Sequence, residues 1–312
     1  MTQRSPGPIG RLAPSPTGHL HVGHARSFLA AWWSVRSRGG RIVLRIEDLD
    51  RDRCKPIYTE AIYRDLQWLG LDWDGEPLVQ SEDLAPYHAA AERLLAANQA
   101  FPCLCSRRDL EQIQSAPHAH TGERRYPGTC RDRFDSLAAA QNAGDRPIGV
   151  RLRVPHGPRA IQDGLHGTFT ADPSAECGDF VILRRDGQIA YQLAVCVDDA
   201  RQGIDEVVRG ADLLPSAARQ ELIHQALATP PPAWFHVPLV HGPGGRLAKR
   251  TGGATLTDLR TAGHDPRQLI AWCATTLGID LSPTDRPTAA ELTDRFAWPR
   301  VPLEEPTWSP PS

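Results

Sequence analysis

The chain has 312 residues, 40% of them hydrophobic, and a formal net charge of −2. It is long enough for one large domain or two modest ones around a full core. Its near-neutral charge gives no global field for nucleic acid, so RNA contact must come from local patches such as Arg107-Arg108 or Arg124-Arg125. No apolar run reaches the roughly 18 residues of a membrane-spanning helix. The N-terminus carries no apolar signal core, so a cytoplasmic location is expected. Seven cysteines at irregular spacing argue against a disulfide framework and leave metal binding or packing. Lysine is nearly absent: Lys55 and Lys249 stand against a background of arginine.

Residues 9–13 form a short apolar run, followed by the turn Pro14-Ser15-Pro16-Thr17-Gly18. Residues 25–35 lack Pro and Gly and read as a helix. Residues 41–48 alternate and are β-branched, so they read as a strand. Together 9–48 make a βαβ unit and imply a parallel sheet. Residues 59–69 and 85–97 have helical spacing, the first stopped by Gly70. Residues 98–150 are rich in Cys, His, Arg and Gly and read as an insertion. Regular patterning returns at 178–214: a strand from Asp179, a turn at Asp186-Gly187, then a second strand from Ile189 to Val197. Residues 216–227 read as a helix and 235–240 as a strand. Beyond 251 come short helices and a Pro-rich tail.

The segment His21-Val22-Gly23-His24 sits between strand and helix. A helix start exposes unpaired N–H groups and partial positive charge, which suits a polyphosphate. Gly23 lets a base or ribose lie against the backbone, and His21 and His24 can donate to phosphate oxygens as charge develops. In the insertion, Cys103-Leu104-Cys105 is followed by Tyr126-Pro127-Gly128-Thr129-Cys130. Two thiolates two residues apart can share a tetrahedral ion with a distant third. The fourth ligand is open among Tyr126, His118 and His120. Cys54, Cys177, Cys196 and Cys273 have no partner spacing and read as packing residues.

Arg11, Ala13 to Gly18 and His21 to His24 carry a resemblance to the class I aminoacyl-tRNA synthetases, in the glutamyl branch with its Arg-x-Ala-Pro-Ser-Pro-Thr-Gly lead-in and HIGH motif. Arg246-Leu247-Ala248-Lys249-Arg250 resembles the KMSKS loop of the same class, with Arg246 for the first lysine and Ala248 for the serine. The resemblance implies an α/β fold, a Rossmann-like parallel sheet split by a zinc-bearing insertion, with a short helical C-terminal part. The expected division is 1–100 and 178–245 for the two catalytic halves, 101–177 for the insertion, and 246–312 for the KMSKS-like loop and helices, with no anticodon-binding domain.

It also implies an enzyme that activates L-glutamate with ATP and Mg²⁺. His21, His24 and Lys249 would act on the phosphates, and with Gly23 bind ATP. Arg11, Leu12, Ala13, Pro14, Ser15, Glu47, Tyr191 and Arg209 would hold glutamate. The arginines suit carboxylates. Glu47, at the end of its strand, suits the ammonium. Tyr191, on its predicted strand, offers a hydroxyl, and Arg209 is placed just after a strand. The resemblance makes Tyr126 the fourth ligand of one structural Zn²⁺, with Cys103, Cys105 and Cys130. Only residues 251–312 follow the KMSKS-like loop, so the chain resembles the truncated paralogues that glutamylate the queuosine cyclopentenediol of tRNA(Asp), as monomers. Two alternatives remain: a compact discriminating glutamyl-tRNA synthetase, and a non-catalytic zinc-bearing RNA-binding protein.

Overall fold

The computed structural model describes residues 7–106, 108–110, 125–242, 245–246 and 255–309. Lys249, His118, His120, Arg107 and Arg124 lie outside the described residues. β1 (Ile9–Leu12) and β2 (Arg41–Ile46) pair in parallel with α1 (Val22–Arg36) between them, so the expected βαβ unit is present. β3 (Leu78–Val79), β9 (Glu206–Gly210), β10 (Ala233–Val237), β6 (Arg159–Asp163) and β7 (Gly167–Ala171) complete a seven-stranded sheet in the order β3-β2-β1-β9-β10-β6-β7. All pairings are parallel except β6 with β7. The strand order reverses between β1 and β9. That is the switch point where open α/β sheets bind ligands, at the carboxyl ends of the strands.

A second, three-stranded antiparallel sheet joins β4 (Ala100–Cys103), β5 (Gly149–Leu152) and β8 (Val181–Leu183). Sheet membership therefore differs from the expected division at 177. β6 and β7, read as insertion, belong to the main sheet. β8, read as catalytic half, completes the small one. The polar β6–β7 hairpin forms an edge with exposed positions such as Ala160 and Thr170, so it carries little apolar signal.

One predicted strand is a helix. Residues 189–197 fall mainly in the helix Tyr191–Gln202, so Tyr191 starts a helix rather than lying on a strand. Leu193 to Asp199 are all buried there, and a segment covered on every side shows no helical periodicity. Asp198 and Asp199 lie inside this helix. Arg209 lies within β9 rather than after it. The strand expected at 235–240 begins and ends earlier, as β10.

α1 is buried along nearly its whole length between β1, β9 and the C-terminal helix Pro266–Thr276. Arg26 reaches out of it, fully buried. Its guanidinium donates to the Pro238 carbonyl at 2.8 Å and to the Thr276 carbonyl and hydroxyl at 3.0 and 3.1 Å. Burial lowers its pKa to about 10. Trp33 donates to the Ala289 carbonyl at 2.7 Å, and Trp298 to Ser34 at 2.8 Å. The C-terminal part is thus clamped to α1. No helix among the described residues is long and apolar enough to cross a membrane. Arg26→Met should lower stability by about 2–4 kcal/mol, because two carbonyls and a hydroxyl lose their donors together. A shift in the urea midpoint checks this, and an unchanged midpoint contradicts it.

Candidate functional site

His21 is the N-cap of α1. Its Nδ1 accepts the Gly23 N–H at 3.1 Å, and the Nδ1 of His24 accepts the His21 N–H at 3.1 Å. The two histidines form a capping box, with ring centroids 3.8 Å apart. Both Nδ1 lone pairs are engaged, so the neutral rings carry their protons on Nε2. Gly23 has a sharper role than ligand approach alone. A Cβ there would lie 2.9 Å from Cε1 of His21, so the glycine makes room for the imidazole that caps the helix.

These residues line a cavity of about 450 Å³ at the switch point, within the range of small-molecule sites. Arg11, Ala13, Pro14, Ser15, Glu47, Tyr191 and Arg209 line the same cavity. Leu12 does not: its side chain is fully buried in the core. Arg11 comes from β1, Arg209 from β9, Glu47 from just past β2, and Tyr191 from a helix start. Tyr191 is 40% exposed.

The charges around this cavity form a buried network that the sequence reading did not find. Arg45 on β2 is fully buried and lies 3.2 Å from Glu47 and 2.8 Å from Asp199. Arg11 sits 3.8 Å from the same Asp199 oxygen and donates to the Val208 carbonyl at 3.1 Å. Burial opposes the charge on Arg45, but Asp199 and Glu47 more than offset it and raise its pKa. Burial lowers the pKa of Arg11, and it raises that of Glu47 despite Arg45 and Arg11 nearby. An arriving ammonium would favour the Glu47 carboxylate. One signal was available in the sequence. Arg45 and Glu47 are two apart on an apolar strand, so they share a face.

Arg209 is likewise held. Its Nε donates to Nε2 of His236 at 2.9 Å, NH1 to Gln220 at 2.8 Å, and NH2 to the Leu213 carbonyl at 3.3 Å.

Cys103, Cys105 and Cys130 bring their sulfurs within 4.8 Å of one another. The Tyr126 hydroxyl oxygen lies 3.5 Å from Cys103 Sγ and 4.0 Å from Cys105 Sγ, and Cys105 and Cys130 are 3.6 Å apart. Ligands at zinc–ligand lengths of about 2.0–2.3 Å in a tetrahedron stand about 3.5–3.8 Å apart, so the donor set fits a single ion. Arg151 lies 3.3 Å from Cys103 Sγ and 3.9 Å above the Tyr126 ring, well placed to balance thiolate charge. The hydrogen bond between Cys103 and Cys130 pushes Cys103 up to about 12 and Cys130 down to about 6. Cys177, Cys196 and Cys273 are buried and Cys54 is half-buried.

A second cavity, of about 880 Å³, adjoins the first, sharing Ser15, Thr17, Glu47 and Tyr191 with it. It runs to the small sheet, reaching Cys103, Arg151, Arg184 and Arg185.

The family model "tRNA synthetases class I (E and Q), catalytic domain" matches residues 9–296. The chain belongs to this family. Relatives in it include a protein of Rhodopirellula baltica, 42% identical over 312 residues and covering 94% of each chain. Another, from Symbiobacterium thermophilum, is 45% identical over 306 residues, 95% of this chain and 94% of its own. Both are named glutamyl-Q tRNA(Asp) synthetase. A protein of Chelativorans sp. named glutamate–tRNA ligase 2 is 42% identical over 268 residues, which is 85% of this chain but 55% of the relative. Among solved structures, a glutamate tRNA ligase from Elizabethkingia meningosepticum in complex with its amino acid superposes with a TM-score of 0.84. It is 25% identical and covers 97% of this chain and 67% of its own.

Within this family site, Gly23→Ala is expected to reverse the usual preference. Alanine normally gains up to about 1 kcal/mol over glycine in a helix. Here displacement of the His21 ring should remove that gain and cost about 1 kcal/mol of cap. Urea denaturation decides the sign.

Proposed function

We propose that the chain activates L-glutamate with ATP and transfers it to the queuosine cyclopentenediol of tRNA(Asp). The observation that carries this reading is the make-up of one cavity. Two guanidinium groups and a carboxylate face it beside a helix start capped by two histidines. Such a site suits an amino acid with two carboxylates next to a polyphosphate. The short relatives, matched over 94% of their length, support the queuosine acceptor.

In the first step, the α-carboxylate of glutamate attacks the α-phosphorus of ATP in line. A carboxylate O–P bond forms, the bond to the β-phosphate oxygen breaks, and pyrophosphate leaves. The attacking group is already an anion, so no protein base is needed. His21 and His24 donate to the phosphates, Lys249 closes on the leaving pyrophosphate, and Mg²⁺ accompanies ATP. Arg11 and Arg209 hold carboxylates, Glu47 takes the ammonium and Tyr191 offers its hydroxyl. In the second step, a queuosine hydroxyl attacks the mixed anhydride, loses its proton and expels AMP. The 880 Å³ cavity supplies room for a nucleoside beside Glu47 and Tyr191. Cys103, Cys105, Tyr126 and Cys130 would hold one structural Zn²⁺, which contributes stability to the insertion and no chemistry. The protein would act in the cytoplasm as a monomer.

A compact glutamyl-tRNA synthetase is the second reading, favoured by the similarity to glutamate–tRNA ligase 2. Labelled glutamate offered with ATP to tRNA with or without queuosine separates the two. Labelling should need queuosine and survive removal of the 3′ adenosine; the opposite pattern establishes 3′-end charging. Lys249→Ala should lower glutamate-dependent pyrophosphate exchange by about several hundredfold, the scale of a lost charge-stabilising group, without loss of fold. Unchanged exchange removes Lys249 from the mechanism. Elemental analysis should find one zinc per chain, lost in Cys103→Ser; equal zinc content in the variant rules out this ligand.

A further inference from the structure

Three adjacent parallel strands end in a row of buried polar groups at the rim of the amino-acid cavity. Asp163 ends β6, His236 lies on β10, and Arg209 lies on β9 directly opposite His236 in the sheet register. The side chains of Asp163 and His236 are inaccessible to solvent. Nδ1 of His236 lies 2.6 Å from an Asp163 oxygen, and Nε2 of His236 accepts from Nε of Arg209 at 2.9 Å. The other Asp163 oxygen accepts the backbone N–H groups of Leu165 and His166 at 3.0 and 2.9 Å.

This arrangement dictates the proton positions. Arg209 can only donate, so Nε2 of His236 must be unprotonated and the ring neutral, with its proton on Nδ1. Asp163 accepts from three donors and is the carboxylate. Burial pushes it up, but these hydrogen bonds more than offset the penalty and lower its pKa. Burial also lowers the pKa of His236. A guanidinium has five N–H groups. Arg209 spends Nε–H on His236, one NH1 hydrogen on Gln220 and one NH2 hydrogen on Leu213. Its face packs 4.9 Å from the Trp234 ring. One N–H remains on each terminal nitrogen, and Arg209 lines the cavity, so these two donors are left for a carboxylate.

We propose that Asp163 and His236 are positioning residues that fix the plane of Arg209 and so set the affinity for the amino-acid carboxylate. This rests on the glutamate reading of the cavity. Neither residue lines the cavity itself; both act through Arg209.

The test is glutamate-dependent ATP–pyrophosphate exchange in Asp163→Asn, His236→Asn and His236→Gln. Asparagine at 163 can donate to Nδ1 and turn Nε2–H against Arg209. Asparagine at 236 keeps a donor toward Asp163 but loses the acceptor. Glutamine at 236 can place its Oε1 where Nε2 stands. Asp163→Asn and His236→Asn should raise the glutamate KM by about tenfold or more while kcat and the ATP KM change less than about twofold. His236→Gln should recover most of the loss. A glutamate KM within about twofold of wild type, or parallel damage to kcat and the ATP KM, overturns the proposal. ¹⁵N-histidine spectra of the wild-type chain test it without any variant. His236 should be the neutral Nδ1–H tautomer, and an Nε2–H ring overturns the proposal. Wild-type exchange that ignores glutamate would sink the substrate reading instead, and the tautomer would still decide the positioning role.

Discussion

The site depends on charges buried where the two halves of the parallel sheet meet. Arg11, Arg45, Glu47 and Asp199 come from β1, from β2 and its end, and from the helix Tyr191–Gln202. Taking such groups out of water costs several kcal/mol each unless they are paired. Here each finds opposite charge within 3.8 Å. The network ties residues about 190 positions apart, across the intervening small sheet and cysteine cluster. An ordinary apolar core could join the halves as firmly, but it could not leave guanidinium and carboxylate groups aimed into a cavity.

α1 meets this network from the other side. Its N-terminus opens on the cavity through the paired histidines, and Arg26 fastens it to the carbonyls of Pro238 and Thr276. The helix start is held from both ends, so groups that would meet phosphate are set before any ligand arrives. Such preorganisation favours transition-state charge over ground-state binding.

Much of this was legible in the residues. The βαβ unit, the His21–His24 turn and the cysteine cluster each rest on local pattern, and local pattern survives folding. Three things were hidden. The stretch Leu193 to Asp199 of the helix Tyr191–Gln202 is buried at every position and shows no period. The β6–β7 hairpin is too polar to read as sheet. The contacts of Arg45, Asp199 and His236 join elements far apart in sequence, and no spacing rule reports them. A single charged residue such as Arg45 in an apolar strand is the one trace they leave.

The row formed by Asp163, His236 and Arg209 has a consequence for how such a site can change over evolutionary time. Arg209 and His236 are register partners on β9 and β10, Asp163 reaches His236 from β6 one step along the same face, and a one-residue slip of any of these strands would turn its side chain to the opposite face. The alignment is therefore a property of the sheet and not of any single side chain. Preference among amino acids could drift through replacements at strand ends that never meet the ligand. The residues in direct contact could stay unchanged while selectivity moved beneath them.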